Sequence, residues 1–305
     1  MSSTFFGTKN ATLYPYQAPS KITAKTAAIT QTMAKKPPFP LTTPLPGRII
    51  CFEKILYHIS IPPSRNEVET MSIRYILFDL DGTLLPMDQD LFIKAYFKGL
   101  ATALAPYGYD PEKLIGAIWA GTSAMIGNRG DRTNEEVFWD KFCAIFGDAV
   151  RGDEPKFDTF YRTGFQQVQQ VCGFDPRAAQ VIQTVKDRGF TPVLATNPIF
   201  PAIATESRIR WAGLDKNDFA LYTTYENSRF CKPSTDYYLQ ILKTLGASPE
   251  ECVMVGNDVG EDMVAQTLGM QVFLLTDCLI NKHGADISSY PQGSFDALLT
   301  FLQTL

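Results

Sequence analysis

The sequence predicts an α/β fold: a doubly wound parallel sheet carrying a smaller all-helical domain. Three observations predict it. From Ser72 onward, five apolar runs of strand length alternate with helical segments, the pattern of a parallel sheet with crossovers. The carboxyl ends of those runs carry carboxylates, a hydroxyl and amides, at the position where open α/β sheets bind ligands. Between the first two runs lies a long stretch, from about Gln89 to Val171, with helical patterning and no convincing strand.

The first strand is Ile73–Phe78, and its run Tyr75-Ile76-Leu77-Phe78 is apolar as a strand buried on both faces must be. In the stretch that follows, Thr133 and Glu136 form a capping box and Gly147 supplies the stop. Asp175 reads as an N-cap with Pro176 at the first helical position and Gly189 closing that helix. The run TPVLATN is the second strand, followed by a helix from about Pro201 to Ala212. FALYTT is the third strand, and a helix from about Ser234 to Leu245 ends at Gly246. CVMVG is the fourth strand, Val259 to Leu268 a helix closed by Gly269, and QVFLL the last strand. The predicted division is a leader at 1–70, a sheet domain of 71–88 with 172–305, and a helical domain at 89–171.

The leader differs in charge from the rest. Residues 1–70 hold eight Lys/Arg against three Glu, a net of +5, which leaves −9 for 71–305. It is rich in Ser, Thr and Pro and lacks the pattern of a secretory signal. An acid-poor segment suits a transit peptide, but Lys stands where Arg would be expected. Because MSIRYILFDLDG makes a natural beginning, 1–70 is expected to be a dispensable upstream segment.

In 305 residues, 45% apolar and 20% charged, there is enough material for a large core. No apolar run approaches the ~18 residues of a membrane span, and a net charge of −4 offers no electrostatic case for nucleic acid. Six scattered cysteines without CxxC spacing suggest reduced thiols and a cytoplasmic protein. Only His58 and His283 are present, both expected at the surface, so catalysis built on histidine has few candidates.

The chemistry concentrates at the strand ends. Asp79 and Asp81 follow the first strand, Thr196-Asn197 the second, and Gly256-Asn257-Asp258, with Asp262 beyond, the fourth. Lys232-Pro233 stands in a loop before a helix. Carboxylates crowded at one crevice repel unless a cation joins them. Mg²⁺, held by a few oxygens with positions left open, suits a phosphate-bearing substrate. Thr196, Asn197 and Lys232 are donors for phosphate oxygens.

In order and type, these four motifs resemble those of the haloacid dehalogenase-like hydrolase superfamily, whose members are mostly phosphatases. The match covers about residues 73–277, and its D-x-D-G-T motif after an apolar strand is specific. The resemblance implies that Asp79 attacks phosphorus to form an aspartyl-phosphate, while Lys232 and Mg²⁺ offset the substrate's charge. Asp81 would protonate the leaving oxygen and then deprotonate water. Gly82 would let the chain turn sharply, and Thr83 would fix that turn. The helical insertion corresponds to the family's cap, which closes over a small phosphorylated metabolite and excludes water. In the loop GNRGDRT, Asn128, Arg129 and Arg132 could reach a leaving group, although a solvated connection would read the same way.

Other readings share the fold. A phosphomutase or other phosphotransferase keeps every motif, and a phosphonate hydrolase would need a cap lysine such as Lys94 or Lys98. A dehalogenase has no use for Asp81, and a non-catalytic binding module has no use for the intact set. The oligomeric state is not legible. One departure stands out: the family usually places Asp directly after the motif glycine, where this chain has Asn257. The expected metal set is therefore Asp79, Asp81, Asn257, Asp258 and Asp262, with Asp258 making the charged contact and Asp262 supporting it or Lys232.

Overall fold

The computed structural model describes residues 72–305. The readings for 1–70 and for His58 lie outside the described residues. Five parallel strands form the sheet: β1 (Tyr75–Phe78), β2 (Thr191–Leu194), β3 (Cys252–Gly256), β4 (Gln271–Leu275) and β5 (Gln292–Gly293), in the order β2-β1-β3-β4-β5. β1 is an interior strand, with Tyr75 in register with Thr191 on one side and Cys252 on the other. Its side chains alternate between two cores. Ile76 and Phe78 enter the cluster shared with α5 (Arg177–Asp187) and α8 (Phe295–Thr304), whereas Leu77 enters the one built on α7 (Thr235–Leu245).

Four helices fill the stretch between β1 and α5: α1 (Gln89–Leu104), α2 (Pro111–Ile126), α3 (Asn134–Phe146) and α4 (Glu154–Arg162). Their fused aromatic core includes Tyr96, Trp139, Phe142 and Phe157, all buried, with Trp119 left at the surface. This core runs without a break into the one beneath β1. Chain entry and exit are tied together, since Met87 bridges Cys172 antiparallel and the Gly173 amide donates to Pro86 O at 2.7 Å. The Thr133–Glu136 capping box is present, as its sequence predicts. His283 is exposed.

Three expectations need correction. FALYTT forms no strand: a single parallel bridge joins Tyr222 to Leu194. Asn227 accepts from the Thr224 amide and donates to Tyr222 O, which folds this segment into a turn. The sheet's fifth strand is instead the short β5. The expected helix at 259–268 shrinks to a 3-10 turn, Met263–Leu268, because Asp258 Oδ1 ties the Gly260 and Glu261 amides into a tight turn first. Finally, α5 starts one residue late, at Arg177, whose amide donates to Asp175 Oδ1 at 2.9 Å. Among the described residues, no helix is long and apolar enough to cross a membrane.

Candidate active site

Beyond Phe78 the chain still belongs to the sheet, since the Asp79 amide donates to Val255 O at 2.9 Å. It then folds back on itself: the Leu85 amide reaches Leu80 O, and the Gly82 amide reaches Leu85 O, both at 2.8 Å. Gly82 has φ +88°, and a Cβ there would stand 2.3 Å from Asn257 Nδ2, so two constraints demand glycine. This loop turns the buried carboxylate of Asp79 toward the ends of β2 and β3.

Lys232, almost wholly buried just before α7, donates to Asp79 Oδ1 at 2.8 Å and to Asp262 Oδ1 at 2.7 Å. Burial alone would push the ammonium's pKa down, but the Asp262 and Asp79 carboxylates outweigh it and raise it well above the usual lysine value. Lys232 is therefore charged at any physiological pH. Asp262 also accepts from the Asp258 amide at 2.9 Å through its other oxygen. Gly256 makes room for it, since a Cβ at that position would lie 2.1 Å from Asp262 Oδ2.

The Thr83 hydroxyl lies 3.3 Å from Asp79 Oδ2 and 3.0 Å from Asn257 Oδ1. Its single proton serves one of them at a time, so two oxygens converge where one donor stands. Asn257 Nδ2 is committed to Cys278 O at 2.7 Å. Thr196 is buried past the end of β2, its carbonyl accepting from Thr223 Oγ1 at 2.6 Å and Tyr237 OH at 2.9 Å. Asn197 donates to Glu261 Oε2 at 3.1 Å, and its own Oδ1 is buried without a partner.

Asp81 has a different environment. Its Oδ2 accepts from the Arg208 guanidinium, while Oδ1 is buried with no partner. Burial pushes this carboxyl up to about 6, the Arg208 charge holding it back and Asp79 adding to the rise. Arg208 is the charged partner of Asp81 that sequence reading missed. It lies on α6 (Ala202–Trp211) and is fully buried. A signal was present: Arg208 follows Ala204 by four residues and precedes Trp211 by three, on the stripe that faces the core. Thr83, assigned only to the turn, also proves to touch Asp79.

Several predicted ligands are placed otherwise. Asp262 takes one of the two supporting roles expected of it: it holds Lys232, and both of its oxygens already have donors. The Arg208 guanidinium gives Asp81 a positive partner through Oδ2, where a metal had been expected. Asp258 spends Oδ1 on the turn at 260–261 and turns Oδ2 toward Lys282 Nζ, 3.9 Å away. Asn257 shares Thr83 with Asp79, and Asp258 does not. The physical reason is that Asp258 is drawn into capping the turn.

Asn128 folds its own loop. It donates to Arg132 O and Asn134 Oδ1, both at 2.9 Å, and accepts from the Gly130 amide at 3.1 Å. With its polar atoms so used, it is corrected as a substrate contact. Arg129 is exposed, and Arg132 pairs with Asp140 and Glu136. The loop nonetheless rests on the segment leading to Lys232. Fully buried Asn134 donates toward Pro198 O, Phe230 O and Cys231 Sγ, and Arg229 donates to Gly130 O and Asp131 O.

Among the described residues, no group of three or more His, Cys, Asp or Glu side chains gathers to hold a metal. Mg²⁺ does not require one, because it uses one or two carboxylates together with substrate phosphate oxygens. Asp79, Asp262 and Lys232 together leave one negative charge in excess, and Asp79 Oδ2 and Asn257 Oδ1 compete for one proton. That donor set fits a hard cation.

A parallel sheet with paired carboxylates, a buried lysine and a hydroxyl at the carboxyl end of its strands defines a hydrolase site of the doubly wound class. The profile of the haloacid dehalogenase-like hydrolases matches residues 73–265, more than half of the chain. The protein belongs to that family. Among solved structures, a 2-haloacid dehalogenase from Pseudomonas syringae pv. Tomato aligns over 76% of this chain and 98% of its own, at 18% identity and TM-score 0.51. A HAD phosphatase from Thermococcus onnurineus aligns over 75% and 98%, at 18% identity and TM-score 0.47. The HAD-hydrolase YfnB of Bacillus subtilis, bound to magnesium, aligns over 76% and 99%, at 18% identity and TM-score 0.45. No curated protein matches the chain in sequence.

Proposed function

We propose that the protein is a Mg²⁺-dependent phosphomonoester hydrolase of small phosphorylated metabolites. The observation that carries this reading is the arrangement at the end of β1. Asp79 is buried and charge-paired to Lys232, and Asp81, two residues on, has one oxygen without a partner. A carboxylate attacks a polyanion only where positive charge offsets the repulsion, and Lys232 supplies that charge at Asp79 itself. Asp79 forms the bond to phosphorus as the ester P–O bond breaks, and the leaving oxygen takes a proton from Asp81. Asp81 then accepts a proton from the water that cleaves the aspartyl-phosphate, releasing inorganic phosphate and restoring the Asp79 carboxylate and the protonated Asp81 carboxyl. Bound near Asp79 and Asn257, with Asp258 close in sequence, Mg²⁺ would draw charge off the transferred phosphoryl group. Thr196 and Asn197 are the proposed contacts for its remaining oxygens.

The helical stretch 89–171 is proposed as a cap over the site, with 71–88 and 172–305 as the core. A cap admits small molecules and leaves no room for a protein surface. Cytoplasmic residence is proposed because Cys143, Cys172, Cys231, Cys252 and Cys278 are all free thiols, as a reducing compartment keeps them. The net charge of −4 argues against nucleic acid as a partner.

Hydrolysis of 4-nitrophenyl phosphate with and without Mg²⁺, followed by acid-quench trapping of phosphate on Asp79, tests the reading. Metal-dependent turnover with label on Asp79 is expected. Chloride release from 2-chloropropionate, without phosphatase activity, would replace it with a dehalogenase.

A further inference from the structure

We propose that Arg208 is a positioning residue for Asp81: it holds Oδ2 and leaves Oδ1 as the oxygen that carries the proton to the leaving group. This rests on the phosphatase reading above. A guanidinium buried completely costs several kcal/mol unless it is paired, and Asp81 is the carboxylate that Arg208 pairs with. The rest of its seat is neutral. Nη2 donates to Thr205 Oγ1 at 3.3 Å, Nε to Ala204 O at 3.4 Å, and Cζ stacks 4.6 Å from the centre of the Phe200 ring. Phe200 is held in turn by Tyr96 and Phe92 of α1, edge-on at 5.4 and 6.1 Å. A guanidinium so enclosed has no alternative position.

The consequence falls on Asp81. A free carboxylate rotates and offers either oxygen, whereas this one is anchored by Oδ2 and keeps a buried, unpartnered Oδ1. An acceptor left bare in a buried site at the catalytic strand end is explained if the substrate's leaving oxygen, and later the attacking water, is its partner. In the first step Asp79 bonds to phosphorus, the ester bond breaks, and the proton passes from Asp81 Oδ1 to the departing oxygen. In the second, water gives its proton back to Oδ1. Lys232 serves Asp79, and Arg208 serves Asp81.

Kinetics with two aryl phosphates of similar size test this. 4-Nitrophenyl phosphate has a leaving group that departs without a proton, and phenyl phosphate has one that needs it. For Arg208→Met, kcat/KM should fall about 100-fold on phenyl phosphate, the usual worth of a placed acid, and only a few-fold on 4-nitrophenyl phosphate. Arg208→Lys, which keeps the charge and is the variant to rely on if Arg208→Met fails to fold, should show a smaller loss with the same selectivity. In an Asp81→Asn background, either substitution should add less than about twofold. Equal losses on the two substrates, or losses that multiply with Asp81→Asn, would overturn the assignment while leaving the phosphatase reading intact. Folded wild-type protein that turns over neither ester would remove both together.

Discussion

Two buried cations meet at the end of β1, and they are held in different ways. Lys232 is shared between two carboxylates, Asp79 and Asp262, and its position is spread over three elements of the sheet domain. Arg208 pairs with one carboxylate, Asp81, and owes its place to the aromatic wall where α6 meets the helical insertion. A shared lysine is a robust charge that offsets whatever anion arrives. A singly paired arginine is an orienting device, with a planar fork that aims one oxygen and frees the other. The contrast predicts that damage near Lys232 is felt in binding, charge and stability, whereas damage near Arg208 is felt in proton transfer.

The largest effect should come from Asp79→Asn, which removes the proposed nucleophile and should lower turnover about a thousandfold or more. Steady-state rates with a phosphate-release assay measure it, and a near-normal rate would end the comparison at its root. Lys232→Met should be next. It leaves Asp79 and Asp262 buried without their cation, which costs about 3–5 kcal/mol when one partner of a buried pair is removed. Urea unfolding reads this directly, and a loss under about 1 kcal/mol would show that water already solvates the pair.

A finer distinction lies between Asn257 and Asp258. Asn257→Ala should raise the Mg²⁺ concentration needed for half-maximal activity about tenfold, and Asp258→Asn should raise it less. Calorimetric Mg²⁺ titration of the two proteins checks the order. A larger effect at Asp258 would return the metal to the residue that sequence reasoning favoured.

The pH dependence of stability separates Asp81 from the rest. Its carboxyl is raised from the ordinary 3.8 to about 6 by burial, so between these values the folded protein binds more protons than the unfolded chain. Its contribution to stability therefore falls as pH rises through that window. In metal-free protein, the stability of Asp81→Asn relative to wild type should improve from about pH 4 to about pH 6 and then level off. Thermal melts in matched buffers show this, and a flat difference would refute it. The smallest effect belongs to the loop: Arg129→Ala should alter kcat/KM by less than about twofold, an exposed side chain far from any of these pairs in hydrogen bonding. A loss above tenfold would put Arg129 on the substrate after all.

The residues of β1 and the Asp79–Asp81 spacing were legible because they are local. A continuously apolar run ending in D-x-D-G-T needs no tertiary information to be read as a buried strand with a catalytic tip. Thr196 and the Gly256–Asp262 segment were legible because chain order alone brings strand ends to one edge of a parallel sheet. The failures share a different cause. FALYTT has strand composition, but the Asn227 side chain draws the chain into a turn, a contact that propensity does not encode. The same holds at Asp258, whose side chain caps the turn at 260–261 where a helix had been expected.

By itself, then, the chain's order of apolar runs and polar strand ends determined four of the five strands, the helical insertion and the Asp79–Asp81 pair at the tip of β1, since each depends on periodicity or on neighbours within a few residues. Only the tertiary structure decided which charges pair. Asp81 and Arg208 are separated by 127 residues. Whether an arginine on a helix faces solvent or a carboxylate depends on the packing of Phe200 against α1. Asp262 and Lys232 likewise meet only when α7 and the β3 turn are docked. Coulomb energies inside a protein depend on distance and on exclusion of water. Neither quantity exists until the chain has folded.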